Sequence, residues 1–244
     1  MNATERGVEE LVRRYGLPPG AHEPLAVLLE LLVRDPAAPT TVREPVPALE
    51  NHLADALVAL ELEPVRLAQA AADIGSGNGV PGLPLAIAKP TATFSLVESN
   101  GGRSRFIERA AAACGLDNVE VVNARVEVWA AGAARFDLVT ARALAPLPVV
   151  AEYAAPLLAQ GGRLVAWRGK RDSNAEATAA TAARELGLTP AGIQPVHPYA
   201  GAKWRHLHVF LKDRPTPPAF PRRPGAASKR PLGCVSGRSD RPQR

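Results

Sequence analysis

Residues 73 to 82 read Asp-Ile-Gly-Ser-Gly-Asn-Gly-Val-Pro-Gly, with an apolar run before them and another after. Few folds accept four glycines in ten residues between two apolar segments. Glycine visits positive φ without a steric penalty and lets a backbone approach a ligand closely. Pro81 suits the first turn of a following helix, whose N-terminus presents free N–H groups and a positive dipole. The segment therefore predicts a strand, a tight turn and a helix arranged as a ligand cradle.

The surroundings agree. From residue 67 short apolar runs alternate with helical stretches, the pattern of a parallel sheet with crossover helices. Strands are predicted over 70–74, 93–98, 119–122, 136–141, 162–167, 188–194 and 206–211. Helices are predicted over 81–88, 102–114, 126–131, 147–158 and 173–186, with Gly187 capping the last. The final two strands are joined without an evident helix, which predicts an antiparallel hairpin. Residues 1–66 read as a helical cap, with helices over 5–15, 23–33 and 48–62. Residues 67–212 form the α/β domain. Residues 213–244 hold 7 prolines in 32 positions and predict a basic arm, mobile over much of its length. The fold class expected is α/β, with a seven-stranded, mostly parallel Rossmann-like sheet under a helical cap.

Charge is uneven. The cap carries −5, the central domain +4 and the arm +6, for a net +5. A basic balance alone is weak support for nucleic acid. Cys114 and Cys234 stand 120 positions apart and offer neither a disulfide framework nor a zinc site, so no metal is expected. No apolar run reaches the ~18 residues of a membrane span, and the N-terminus lacks the pattern of a signal peptide. A cytoplasmic protein away from membranes is the expectation.

Glu98 closes the second strand 23 positions after Gly75, where a carboxylate suits two ribose hydroxyls. Strand, glycine turn, helix, strand and acid together predict an adenosine-type cofactor. Gly77-x-Gly79-x-x-Gly82 satisfies the dinucleotide fingerprint formally, which leaves an oxidoreductase as a distant reading. Asp73, two residues before the first glycine, favours another one. A carboxylate beside the turn can meet an ammonium group, whereas it would repel a pyrophosphate. Asp73-x-Gly75-x-Gly77-x-Gly79 resembles motif I of the S-adenosylmethionine methyltransferases.

A closer resemblance covers about residues 38 to 232. The run from Asp73 through Gly82-Leu83-Pro84-Leu85 is similar to the bacterial 16S rRNA (guanine-N7) methyltransferase family, RsmG, also called glucose-inhibited division protein B. So are Leu96-Val97-Glu98-Ser99, Ala124-Arg125-Val126-Glu127, Thr140-Ala141-Arg142-Ala143 and Gly161-Gly162-Arg163-Leu164. His52 and Asp55 match the His-x-x-Asp of the family's cap, and residues 221–232 resemble the C-terminal arm of some members. Three departures are Ala38-Pro39-Thr40 for Asn-Leu-Thr, Ala56 for the Ser after His-x-x-Asp, and Arg168-Gly169 for Lys-Gly. The resemblance implies S-adenosyl-L-methionine as cofactor and N7 of one guanine in 16S rRNA or the small ribosomal subunit as target. A monomer is expected.

Carried onto this chain, the resemblance places Gly75 and Val80 in the cofactor pocket and Val126 and Glu127 near the adenine end. Asp73, Gly77, Gly79 and Glu98 complete the expected cofactor set, with Arg142 beside the methionine end at the tip of the fourth strand. Arg142 is also the expected catalytic residue. An arginine there can hold the cofactor carboxylate, pair with the major-groove edge of a guanine, or make a structural salt bridge. The Asn/Asp-Pro-Pro-Tyr motif of exocyclic-amine methylation is missing after that strand, and so is a cysteine for C5 chemistry. Guanine N7 loses no proton on attack, so no general base is needed; the chain's work would be in-line positioning. RNA contacts are expected from Arg168, Lys170, Arg171, Arg205, Arg222, Arg223, Lys229 and Arg230. Two alternative functions are a small-molecule methyltransferase and a non-catalytic, RNA-binding ribosome-assembly factor.

Overall fold

A computed structural model describes residues 2–233; Cys234 and the end of the arm lie outside the described residues. Helix α1 (Ala3–Tyr15) begins on an Asn2 capping box completed by Glu5 and stops at Gly16, whose left-handed φ of 56° ends the helical bonding. Helix α2 (His22–Arg34) buries Leu25, Leu28, Leu29 and Leu32, one face at helical spacing.

The single helix expected over 48–62 is subdivided. A turn of α-helix, α3 (Pro45–Ala48), runs into a π-helical turn over Leu49–Ala54, then α4 (Asp55–Leu57) and a 3-10 turn over Val58–Glu61. Such a wide turn often marks a functional place in a helix, and here it carries His52 and Asn51 toward the sheet. The short helix α5 (Glu63–Leu67) leads out of the cap.

The sheet holds β1 (Ala70–Ile74), β2 (Thr93–Val97), β3 (Val119–Val122), β4 (Phe136–Arg142), β5 (Leu158–Arg168), β6 (Leu188–Pro195) and β7 (His206–Lys212). Its order is β3-β2-β1-β4-β5-β7-β6, parallel except that β7 runs against both of its neighbours. The predicted final hairpin is present. Crossovers are α6 (Gly82–Ala88), α7 (Gly101–Ala113), α8 (Leu147–Ala154) and α9 (Ser173–Glu185), and a last turn, α10 (Ala226–Lys229), lies in the arm. Gly187 follows α9 at φ 76°.

Three local expectations differ. Residues 126–131 form two 3-10 turns, Val126–Val128 and Ala130–Gly132, because Trp129 between them leaves the helical region at ψ 74°. Helix α8 ends at Ala154, since Pro156 cannot donate the bond that would continue it. Strand β5 starts early at Leu158 and skips register against β4 between Phe136 and Leu138, with Gly161 at φ 84° in the irregular part.

Alternate residues of the strands fill two cores. Leu138, Val165 and Val209 face the cap, α6 and α7, while Val139, Leu164 and Phe210 face α8 and α9. The arm belongs to this second layer. Phe220 and Leu232 pack against it and Ala227 is buried in it. As far as Gly233 the expected mobile segment is docked, because these apolar side chains leave water there.

Candidate functional site

Register brings the site to one edge. Ile74 lies beside Val97, Arg142 beside Trp167, and Trp167 beside Leu207. The carboxyl ends of β1, β2, β4 and β5 therefore share a rim with the start of β7, the side on which open parallel sheets bind ligands.

At that rim the chain leaves β1 through Gly75, Gly77 and Gly79, all at positive φ. A Cβ on Gly75 would also press on the end of the Leu144 side chain, which would have to move aside. Below the turn lies Asp73, 1% exposed. Its Oδ1 accepts from the Thr140 hydroxyl at 2.8 Å and its Oδ2 from the Gly82 N–H at 3.2 Å. Burial pushes this carboxyl up to about 6, against the hydrogen bonds from Thr140, Ser76 and Gly82. In this arrangement Asp73 ties the turn to α6 and β4. Val80 is likewise buried in the core on the cap side.

Glu98 stands where the sequence places it. One carboxylate oxygen accepts from Gly77 N–H at 3.0 Å and the other from Asn100 N–H at 2.7 Å. Asn100 then caps α7 by accepting from Gly102 and Arg103 N–H. Both oxygens retain lone pairs for hydroxyl donors.

Beside the turn is a cavity of about 150 Å³ lined by Gly75, Ser99, Val126, Glu127, Leu144 and Tyr153, together with Ser228 of the arm. The Glu127 side chain is 4% exposed. Burial raises its carboxyl, but hydrogen bonds from Arg125 and the Gly225 N–H outweigh this and hold it below the usual range. Sequence reasoning found Gly75, Val126 and Glu127. It missed Leu144, two positions past Arg142 and so within reach of the motif, and Tyr153 and Ser228, for which no local signal exists.

Across the rim, Arg142 Nη1 donates to Asn51 O at 2.7 Å and to Asp55 Oδ2 at 2.8 Å. The salt bridge left open by sequence is present, and it joins cap to sheet. Both bonds leave from one nitrogen; Nη2 and Nε make no hydrogen bond among the described residues. Asp55 also takes Arg205 Nε at 3.2 Å on its other oxygen, and its backbone carbonyl accepts from Trp167 Nε1 at 2.7 Å. Tyr199 donates to Asn51, and Arg205 donates to Tyr199. His52 contacts the Thr40 hydroxyl through Nε2 and is pushed down to about 4, chiefly by burial and then by the Arg142 charge. That shift favours the uncharged ring at neutral pH. Immediately after Arg142, Ala143 sits at φ 53°, a strained position of the kind that gathers at functional sites.

The expected RNA contacts divide. Arg171 is held by both oxygens of Glu176, Arg205 by Asp55, Arg222 by Glu152, and Arg168 by the Ala145 carbonyl. Arg222 is the clearest correction, because Glu152 is fully buried and its carboxylate is bonded through the Arg222 fork. The side chains of Lys170, Arg223, Lys229 and Arg230 have no hydrogen-bond or ion-pair partner among the described residues. Near Lys170, Trp204 is 63% exposed and held at φ 55° between Lys203 and Arg205. Sequence reasoning named Arg205 beside it and passed over the ring.

Residues 37–196 match the GidB family, described as rRNA small subunit methyltransferase G. This chain belongs to that family. It is 43% identical to the Ribosomal RNA small subunit methyltransferase G of Rubrobacter xylanophilus over 196 residues, 78% of this chain and 75% of that one. The Chloroflexus aggregans protein of the same name is 36% identical over 239 residues, 94% and 98% of the two chains. Among solved structures, the mitomycin 7-O-methyltransferase MmcR superposes with a TM-score of 0.57 at 15% identity, covering 75% of this chain and 60% of its own. The 16S rRNA (adenine(1408)-N(1))-methyltransferase from Catenulisporales acidiphilia gives 0.52 at 16% identity, covering 64% and 90%. These two show the class I methyltransferase fold.

Its cofactor is S-adenosylmethionine, and the residues present fit it. A turn held at positive φ by Gly75, an acid at the end of β2, and a slot with Val126 and Leu144 beside the Glu127 carboxylate suit an adenosine.

Proposed function

We propose that this chain methylates N7 of one guanine in 16S rRNA, with Arg142 as the residue nearest the chemistry. The reading rests on its relatives' shared name and on the geometry of Arg142: one nitrogen is anchored in the cap while Nη2 and Nε are left without a partner at the tip of β4. When bound, S-adenosylmethionine supplies an electrophilic methyl group on a sulfonium.

The chain's own residues do the positioning. Glu98 is set to accept the ribose hydroxyls, and Val126, Leu144 and Glu127 border the adenine end. The unpartnered N–H groups of Arg142 suit the cofactor carboxylate or the O6/N7 edge of guanine. N7 carries a lone pair and no proton, so alignment and electrostatics around a charge moving from sulfur to base are what the site must provide. Lys170, Arg223, Lys229 and Arg230 would take phosphates around the rim, and Trp204 offers a face on which an unpaired base can stack. The substrate is read as 16S rRNA within a small subunit or an assembly intermediate, met by a monomer in the cytoplasm. No helix among the described residues is long and apolar enough to cross a membrane.

The test is transfer of labelled methyl from S-adenosylmethionine to small subunits from a strain lacking this gene, with naked rRNA, transfer RNA and DNA alongside. A single 7-methylguanosine in 16S rRNA is the expected product. Cofactor binding without label in any nucleic acid would sink the assignment.

A further inference from the structure

The arm does not simply hang beside the site. Arg222 sends Nε and Nη2 to the two oxygens of Glu152 at 2.9 and 2.5 Å, and its backbone N–H donates to the same carboxylate at 3.1 Å. Glu152 is 0% exposed with the arm docked, so the arm supplies the ion pair that satisfies this carboxylate. Three residues on, Gly225 at φ 80° turns the chain inward, and its N–H donates to Glu127 Oε1 at 3.0 Å. Ser228 Oγ then lies 3.3 Å from the Tyr153 hydroxyl, and Ala227 between them is buried. Glu127, Tyr153 and Ser228 all border the cavity beside the glycine turn.

We propose that residues 222–228 of the arm form the outer wall of the cofactor site and close over its adenine end, so that arm docking and cofactor binding strengthen each other. The inference rests on placing the cofactor at this rim. At about 150 Å³ the cavity is below the ~300 Å³ where whole-ligand pockets begin. It suits one end of the cofactor, with the rest extending past Glu98 toward Arg142. Two arm groups, the Gly225 N–H and the Ser228 hydroxyl, hydrogen-bond side chains that line this cavity, and neither has any role in a freely mobile RNA-binding tail.

The experiment measures binding of S-adenosylhomocysteine to the full chain by calorimetry and hydrogen exchange across residues 220–230 with and without it. The native chain is expected to bind, and exchange across the arm is expected to slow when it does. Arg222→Ala should raise Kd about fivefold or more, the scale of one lost hydrogen bond. Because that change orphans Glu152, the double variant Glu152→Gln/Arg222→Ala is measured as well and should show the same rise. Unchanged or tighter binding in the double variant, or arm exchange that is unaffected or accelerated by the ligand, overturns the proposal. A native chain that does not bind S-adenosylhomocysteine overturns the cofactor placement and this inference together.

Discussion

Asp55 is the residue through which the cap should control the chemistry. Its carboxylate, in a residue 6% exposed, meets Arg142 at 2.8 Å and Arg205 at 3.2 Å. Asp55→Asn keeps the shape and removes the charge, leaving two guanidinium groups around a neutral amide. Breaking a buried pair costs about 3–5 kcal/mol. Arg205, a third exposed along its side chain, can turn to water, which puts the expectation near the lower end, about 3 kcal/mol. For a chain of this length that is a fall in Tm of roughly 6–12 °C. The loss in methyl transfer should be larger than the loss in stability implies, because a displacement of about 1 Å at a reacting centre can cost about a hundredfold. Thermal unfolding and single-turnover transfer to small subunits, both at a temperature where the variant is folded, separate the two effects. An Asp55→Asn variant that unfolds earlier yet transfers methyl at the native rate would refute the argument that the cap positions Arg142.

Gly75→Ala should leave the sheet intact, at a cost of about 1–2 kcal/mol for positive φ, and push Leu144 into the cavity; calorimetry should show S-adenosylhomocysteine binding weakened about tenfold. Asp73, raised by burial to about 6, binds its proton more tightly in the folded chain than in the unfolded one. Its contribution therefore falls as pH rises from about 4 to about 6, and Asp73→Asn should remove that slope. His52 and His208, both pushed down to about 4 chiefly by burial, slope the opposite way between about 4 and 6.5. Denaturant curves of native chain and variant across that range cancel the histidines, and parallel profiles would count against the buried acid. Lys170→Ala should lower the salt dependence of RNA binding by roughly one phosphate contact, and Trp204→Ala should weaken RNA binding with cofactor affinity unchanged; filter binding across a salt series checks both.

Much of this was legible before any coordinates. Alternating apolar runs and helical stretches marked all seven strands, because period and turn chemistry are local properties of the chain. The glycine turn and Arg142 came from motifs read within a few neighbouring residues. What stayed hidden was how each charged group is partnered. Asp73 is held under the turn by Thr140, 67 positions on. Arg222 looked like a free cation until Glu152, 70 positions back, was found buried against it. Residues 55 and 142 are 87 positions apart, 127 and 225 are 98 apart. A carboxylate accepts from whatever donors the fold delivers and leaves water only if they satisfy it. Sequence alone thus settled the layered sheet and the place of its glycine turn, while tertiary packing decided which charges are paired within the fold, holding the cap and the arm in place, and which are left without a partner among the described residues.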